Sequence, residues 1–219
     1  MNFITKVFNA LLSIILPKNE ETLYLESLSP SDLLEKVSLA RTMEKDRFIA
    51  VFDYKDPFAR KLIWQIKYKA NKIVSHNLAV LLYDLILEEI SDETTFAKFE
   101  QILLVPIPCS TKRRKEKGFN QTEVLVEELY KIDRGENFKL GKSILKKMKD
   151  TPHQVNVKNR EKRLKNLEGS FAVTDGVDLK RTCVILIDDV ITTGATMSEA
   201  RKTLKSACTK KVICVAVTH

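Results

Sequence analysis

The stretch CVILIDDVITTGATM, residues 183 to 197, restricts what this chain can fold into more than any other part of it. The apolar run CVILI reads as a strand buried on both faces, the pattern of a parallel sheet covered by helices. With that run ending at Ile187, Asp188 and Asp189 emerge at the rim, one toward each side, because side chains alternate along an extended backbone. Adjacent carboxylates repel, and the repulsion is commonly offset by a divalent cation or by donors such as sugar hydroxyls. Thr192, Thr193, Gly194, Ala195 and Thr196 then form a turn into a helix, where unpaired backbone N–H groups and the positive dipole end favour an anion. Gly194 permits close backbone approach, and the threonine hydroxyls add donors. A ligand carrying a diol and a phosphate, such as a ribose 5-phosphate, satisfies both halves. A competing reading makes Thr196 and Glu199 a capping box that explains the turn without a ligand but leaves the acids unexplained. The nucleotide P-loop pattern GxxxxGK[ST] is absent.

Elsewhere the periodicity alternates between strands and helices. Phe58, Leu62, Ile63 and Ile66 fall at helical spacing after Pro57, as do Leu78, Leu81, Leu82, Leu85 and Ile86 further on. Trp64 and Tyr68, four apart on the first of these helices, read as an aromatic pair in a core or on its rim rather than as a base-stacking surface. Gln101 to Ile107 reads as a short strand, followed by a polar basic loop and a helix FNQTEVLVEELY. SFAV after Gly169 reads as a strand, Thr174 to Gly176 as a turn, Ser198 to Lys205 as a helix and KVICVAV as a last strand. The expected fold class is therefore α/β, a mainly parallel twisted sheet flanked by helices, with ligands bound beyond the carboxyl ends of the strands.

The chain has 219 residues and a formal charge of +8, unevenly distributed. Residues 139 to 165 hold ten Lys or Arg against Asp150 and Glu161, and KRRKEK at 112 to 117 adds a further +4, so the remainder is net acidic. A local positive field of this kind suits a phosphate-rich ligand or a nucleic acid, although charge runs are often only solvated faces. Residues 139 to 165 contain no aromatic side chain to accompany single-strand binding. Cys109, Cys183, Cys208 and Cys214 form no CxxC pair, so they read as buried thiols of a reducing compartment rather than a zinc ribbon or a disulfide framework. The N-terminal FITKVFNALLSIILP is shorter than a membrane span and lacks a cleavage site, so a cytoplasmic location is expected. It reads as an amphipathic helix packing on its own protein, since its polar face has little basic charge.

VILIDDVITTGAT resembles the 5-phosphoribosyl-1-pyrophosphate (PRPP) signature of type I phosphoribosyltransferases. Within that superfamily the chain resembles the ComF family of competence proteins over roughly residues 48 to 219. VPIPCSTKRRKEKGFNQTEVL is similar to the family's VPxP strand, basic loop and RGFNQ segment, with Lys117 where arginine is usual. DTPHQVNVKNREKRLKNLEGSF is similar to its T-x-x-Q, paired-arginine and N-x-x-x-x-F segment. The resemblance implies a type I phosphoribosyltransferase fold over 48 to 219, with a variable hood within 48 to 100 that recognises the acceptor, and a separate helical segment over 1 to 47.

It further implies that Asp188 and Asp189 take the ribose hydroxyls and orient magnesium through water, while Thr192 to Thr196 hold the 5-phosphate. Pro108, Cys109, Ser110, Lys112 and Arg113 would face the pyrophosphate. Gln154, Arg160 and Arg163 would sit on a mobile loop that closes over the site, with catalytic roles. Bond cleavage at the ribose C1 builds positive charge on the sugar and negative charge on the leaving group, which magnesium, Arg113 and the basic cluster would meet. His153 is a general-base candidate by type, but it reads as a surface histidine. ComF proteins usually run from an apolar LLxLLFP segment into a cysteine zinc finger; here LLSIILP leads into KNEETLYLESLSP, without a cysteine, so no structural zinc is expected. Expected partners are PRPP, single-stranded DNA, and DNA-uptake or helicase machinery. Three functions fit: single-strand handling in natural competence, phosphoribosyl transfer to an unidentified acceptor, or PRPP sensing without turnover.

Overall fold

The computed structural model describes residues 19–40, 48–91, 99–148 and 167–219. Two short helices come first, α1 (Glu20–Ser27) and α2 (Pro30–Lys36), the latter started by a reciprocal capping box between Ser29 and Asp32. Strand β1 (Phe48–Phe52) leads to α3 (Pro57–Tyr68), whose N-terminal N–H groups at Phe58 and Ala59 donate to the Asp56 carboxylate. Helix α4 (Lys72–Ile90) begins a turn earlier than the apolar spacing predicts, because Asn71 caps it by accepting from the Val74 N–H. Then follow β2 (Gln101–Pro106), α5 (Thr111–Lys117), α6 (Gln121–Asp133), β3 (Lys139–Leu140), β4 (Leu145–Lys147), β5 (Phe171–Val173), β6 (Thr182–Val190), α7 (Ala195–Ser206) and β7 (Lys211–Thr218).

Five strands form one sheet in the order β1-β7-β6-β2-β3, and every pairing is parallel. The central strand β6 is hydrogen-bonded on both sides, in register from Gln101↔Thr182 to Pro106↔Ile187 with β2 and from Cys183↔Lys211 to Val190↔Thr218 with β7. Its alternating side chains feed two separate cores. Cys183, Ile185 and Ile187 pack with Leu62, Ile63 and Ile66 of α3, Leu78 and Leu82 of α4, and Leu125 and Leu129 of α6. Val184 and Leu186 pack on the opposite face with Met197, Ala200 and Leu204 of α7 and with Phe171 of β5. This is the expected α/β architecture, a parallel sheet flanked by helices and consistent with a type I phosphoribosyltransferase-like fold. Leu25, Leu28 and Leu33 from α1 and α2 join the first of these cores.

Three details depart from the sequence reading. The SFAV strand exists as β5, but it pairs antiparallel with β4 in a small separate sheet. KRRKEK is helical rather than a loop: Ser110 accepts from the Arg113 N–H at its start, and Gly118, at φ 77°, closes it. Of the four cysteines, Cys183 and Cys214 are buried, whereas Cys109 is half-buried and Cys208 exposed. Burial pushes the thiols of Cys183 and Cys214 up to about 11 and about 12, so both stay protonated and serve as core packing. No helix among the described residues is long and apolar enough to cross a membrane.

Candidate functional site at the carboxyl rim of the sheet

β6 carries its ladder beyond the apolar run, so Asp188 and Asp189 lie inside the strand rather than after it. Alternation sends them to opposite faces. Asp189 follows Ile187 toward the helical layer of α3, and Asp188 follows Leu186 toward α7.

Asp189 is 4% exposed, and its Oδ2 lies 3.1 Å from Lys67 Nζ on the last turn of α3. Among the described residues no aligned hydrogen bond reaches that oxygen, so the ion pair alone offsets its burial. Burial opposes the charge on Lys67, but the Asp189 and Asp188 carboxylates outweigh it and raise its pKa.

Asp188 accepts from the Asp189 N–H at 2.8 Å and has no ion pair among the described residues. Burial, reinforced by the Asp189 charge, pushes its carboxyl well above the ordinary carboxylate range, although one edge of the side chain still reaches solvent. One lysine therefore faces two acids. A buried carboxylate met by a single lysine, beside a second carboxyl whose pKa is raised by burial and then by its neighbour, fits a hydrated magnesium ion or vicinal hydroxyls. No group of three or more His, Cys, Asp or Glu side chains that could hold a metal occurs among the described residues. The donor set thus suits an ion that keeps water and ligand oxygens, not one enclosed by protein alone.

The chain turns immediately after the acids. Ile191 donates to the Thr218 carbonyl at 2.9 Å, Thr192 is exposed, Thr193 is half-buried, and Gly194 at φ 72° is the N-cap of α7. No side chain among the described residues caps this helix. Ala195 and Thr196 are its first two residues, and the Glu199 carboxylate accepts from the Gly169 N–H at 2.8 Å instead of reaching back to the cap. The capping-box reading of Thr196 and Glu199 is therefore overturned, because the helix starts too early for Thr196 to be its cap: Thr196 already lies within its first turn. The first-turn N–H groups remain available beside the acids. A β-carbon on Gly194 would meet the Phe48 ring edge at 2.5 Å, so neither the dihedral angle nor the space admits a side chain.

The second rim segment comes from β2. Pro106 pairs with Ile187, and the Ile107 N–H donates to the Ile187 carbonyl at 2.8 Å, so the loop at Pro108, Cys109 and Ser110 leaves the sheet next to Asp188. Ser110 is buried as the cap of α5, Lys112 is exposed and Arg113 half-buried. Arg114 clamps the short helix to α6 through two bonds to Glu123, at 2.7 and 2.9 Å. Burial and the Glu123 charge raise the Cys109 thiol, against the pull of Arg114 and Arg113. Sequence reasoning missed Lys67 and gave Lys117 no role at the site. Lys117 Nζ donates to the Lys67 carbonyl at 3.3 Å; burial, then the charges of Lys67 and Arg113, lower its pKa. The signal for Lys67 was present only as helical phase, one turn after Ile63. Gln154, Arg160, Arg163 and His153 lie outside the described residues, as does most of the basic region 139 to 165.

No family model matches the chain. It is similar to "Competence protein F" of Haemophilus influenzae, at 28% identity over 162 residues that cover 73% of this chain and 67% of that protein. It is 35% identical over 115 residues to "Competence protein ComFC" of Streptococcus pneumoniae, covering 52% of this chain and about half, 47%, of the relative. The "DNA utilization protein YhgH" of Escherichia coli O157:H7 is 26% identical over 174 residues, covering 78% and 72%.

Proposed function

We propose that this chain is a ComF-type protein that binds PRPP with magnesium at the rim of β2 and β6 and acts in natural competence, in the handling of incoming single-stranded DNA. The relatives named competence protein F, ComFC and DNA utilization protein support the competence and DNA-uptake part of this reading. The observation that carries the ligand part is the pairing of two unequally compensated acids with a helix N-terminus that no side chain among the described residues caps. A diol with a phosphate a few ångströms away is complementary to that pair. Asp188 and Asp189 would hold the ribose hydroxyls and orient magnesium, which supplies charge neutralisation at a polyphosphate. Thr192, Thr193, Gly194, Ala195 and Thr196 would cradle the 5-phosphate, and Pro108, Cys109, Ser110, Lys112 and Arg113 would face the pyrophosphate. Lys67 and Lys117 add positive charge on the α3 side of the acids.

The test is calorimetric titration of the full chain with PRPP, with and without magnesium. Magnesium-dependent binding that is lost in Asp188→Asn is the expected result; no heat with PRPP rejects the pocket. Pyrophosphate release in the same samples, on addition of bases or amines, separates a transferase from a PRPP sensor without turnover.

A further inference from the structure

The last two turns of α3 present both of their aromatic rings to solvent. Trp64 is 46% exposed and Tyr68 60% exposed, with ring centroids 5.8 Å apart and planes tilted by 38°. Each ring is accompanied by a lysine, one from the end of the same helix and one from α5. Lys69 Nζ, at the C-cap of α3, stands 5.4 Å from the Trp64 ring, and Lys117 Nζ, at the end of α5, stands 4.5 Å from the Tyr68 ring. The bond from Lys117 Nζ to the Lys67 carbonyl ties the two helices together at this point.

This face is the aromatic pair of the sequence reading, on the rim and not in the core, and its immediate surroundings are cationic rather than apolar. An apolar partner helix would have to bury Lys69 and Lys117 without counter-charges, which is unfavourable. A polyanion with uncovered flat faces matches both features at once. Single-stranded nucleic acid is such a ligand, because its bases stack on aromatic rings while its phosphates meet nearby ammonium groups. A duplex keeps those base faces covered.

We infer that Trp64, Tyr68, Lys69 and Lys117 form a stacking platform for the bases of a single-stranded nucleic acid, one helical turn from the Lys67–Asp189 ion pair. The inference rests on the single-strand part of the proposed function and is independent of the PRPP pocket. Trp64 and Tyr68 bind base faces; Lys69 and Lys117 meet the phosphates that flank them.

Trp64 is the single tryptophan of the chain, so its fluorescence reports the platform directly. The full chain is titrated with an oligothymidylate of about fifteen residues and with an abasic oligomer of the same length. Stronger quenching and tighter, salt-sensitive binding by the thymidylate is the expected result. Tyr68→Leu keeps the reporter, and Trp64→Leu is followed by anisotropy of a labelled oligomer. Each is expected to weaken thymidylate binding by roughly 5- to 100-fold, the worth of a stacked base. Thermal melting confirms that both variants are folded, and PRPP titration of the same samples reports the other site. Equal affinity for the abasic oligomer without quenching, or unchanged affinity in both variants, overturns the inference. Quenching by thymidine monophosphate as strong as by the oligomer overturns it in favour of a mononucleotide pocket. Quenching by phosphatidylglycerol vesicles but not by the oligomer overturns it in favour of a membrane surface. Loss of PRPP binding in the unaltered chain with quenching retained rejects the pocket and leaves the platform standing.

Discussion

The ring edge of Phe48, at the start of β1, occupies the space that a β-carbon on Gly194 would take, 2.5 Å from that position. Arg201 lies over the same ring, its guanidinium carbon 4.9 Å from the centroid, and the Phe48 side chain is buried. Gly194→Ala therefore meets two obstacles, a φ of 72° and a buried ring that would have to shift. It is expected to cost about 2 kcal/mol or more in thermal melts, since the left-handed conformation alone costs about 1–2 kcal/mol. Adding Phe48→Leu should recover the steric part and leave the dihedral part. Full rescue by the second substitution would show that backbone conformation does not matter at this turn.

Lys67 is the charge that makes a buried Asp189 tolerable. Lys67→Met should destabilise the chain by roughly 1–3 kcal/mol, less than for a fully enclosed pair because the lysine is a quarter exposed. The double variant Lys67→Met, Asp189→Leu should regain most of that loss, because no unpaired charge is left behind. Denaturant unfolding of the four proteins closes the cycle, and purely additive losses would show that the pair is not coupled.

Asp188 carries a raised pKa caused first by burial and then by Asp189. A carboxyl with a raised folded-state pKa favours the native state when protonated. That contribution is full below the ordinary value of about 3.9 and is lost as pH climbs through the raised value. Asp188→Asn should therefore stabilise the unliganded chain at neutral pH by about 1 kcal/mol, or about 2–4 °C, with the gain shrinking toward about pH 4. Melting curves across this range check it. A pH-independent loss would mean that the acid is stabilising as it stands.

Asp56 behaves in the opposite sense. Burial works against its charge, but bonds from the N–H groups of Ser38, Phe58 and Ala59 prevail and lower its pKa. Its contribution is present above the ordinary carboxylate pKa of about 3.9 and is lost as pH falls through the depressed value. Asp56→Ala should cost about 1 kcal/mol at neutral pH and speed amide exchange in the first turn of α3. Unchanged exchange there would show that the cap does not hold the helix.

Much of the sheet was legible because it is buried on both faces. The runs QILLVP, CVILI and KVICVAV announce themselves by apolarity alone, and the helices of the Leu62 and Leu78 faces by their spacing. β1 escaped because FIAVF is a short apolar run that periodicity alone does not assign to strand or helix. The KRRKEK helix escaped because its formation depends on Ser110, on Gly118 and on the clamp from Arg114 to Glu123, and not on any apolar face. At the site, the acids and the turn follow from a contiguous motif. Lys67 does not, since it arrives from more than a hundred residues upstream and only the fold brings it to Asp189.

The unbroken rungs between β2 and β6, from Gln101↔Thr182 to Pro106↔Ile187, have a consequence for selectivity. The span between the two rim segments is fixed by main-chain bonding and cannot be adjusted by side-chain choice. A ligand taken up between them would sit in the jaws of a calliper whose opening was set when the two strands zipped together. Homologous chains could exchange every residue on either jaw and still gauge the same molecular length.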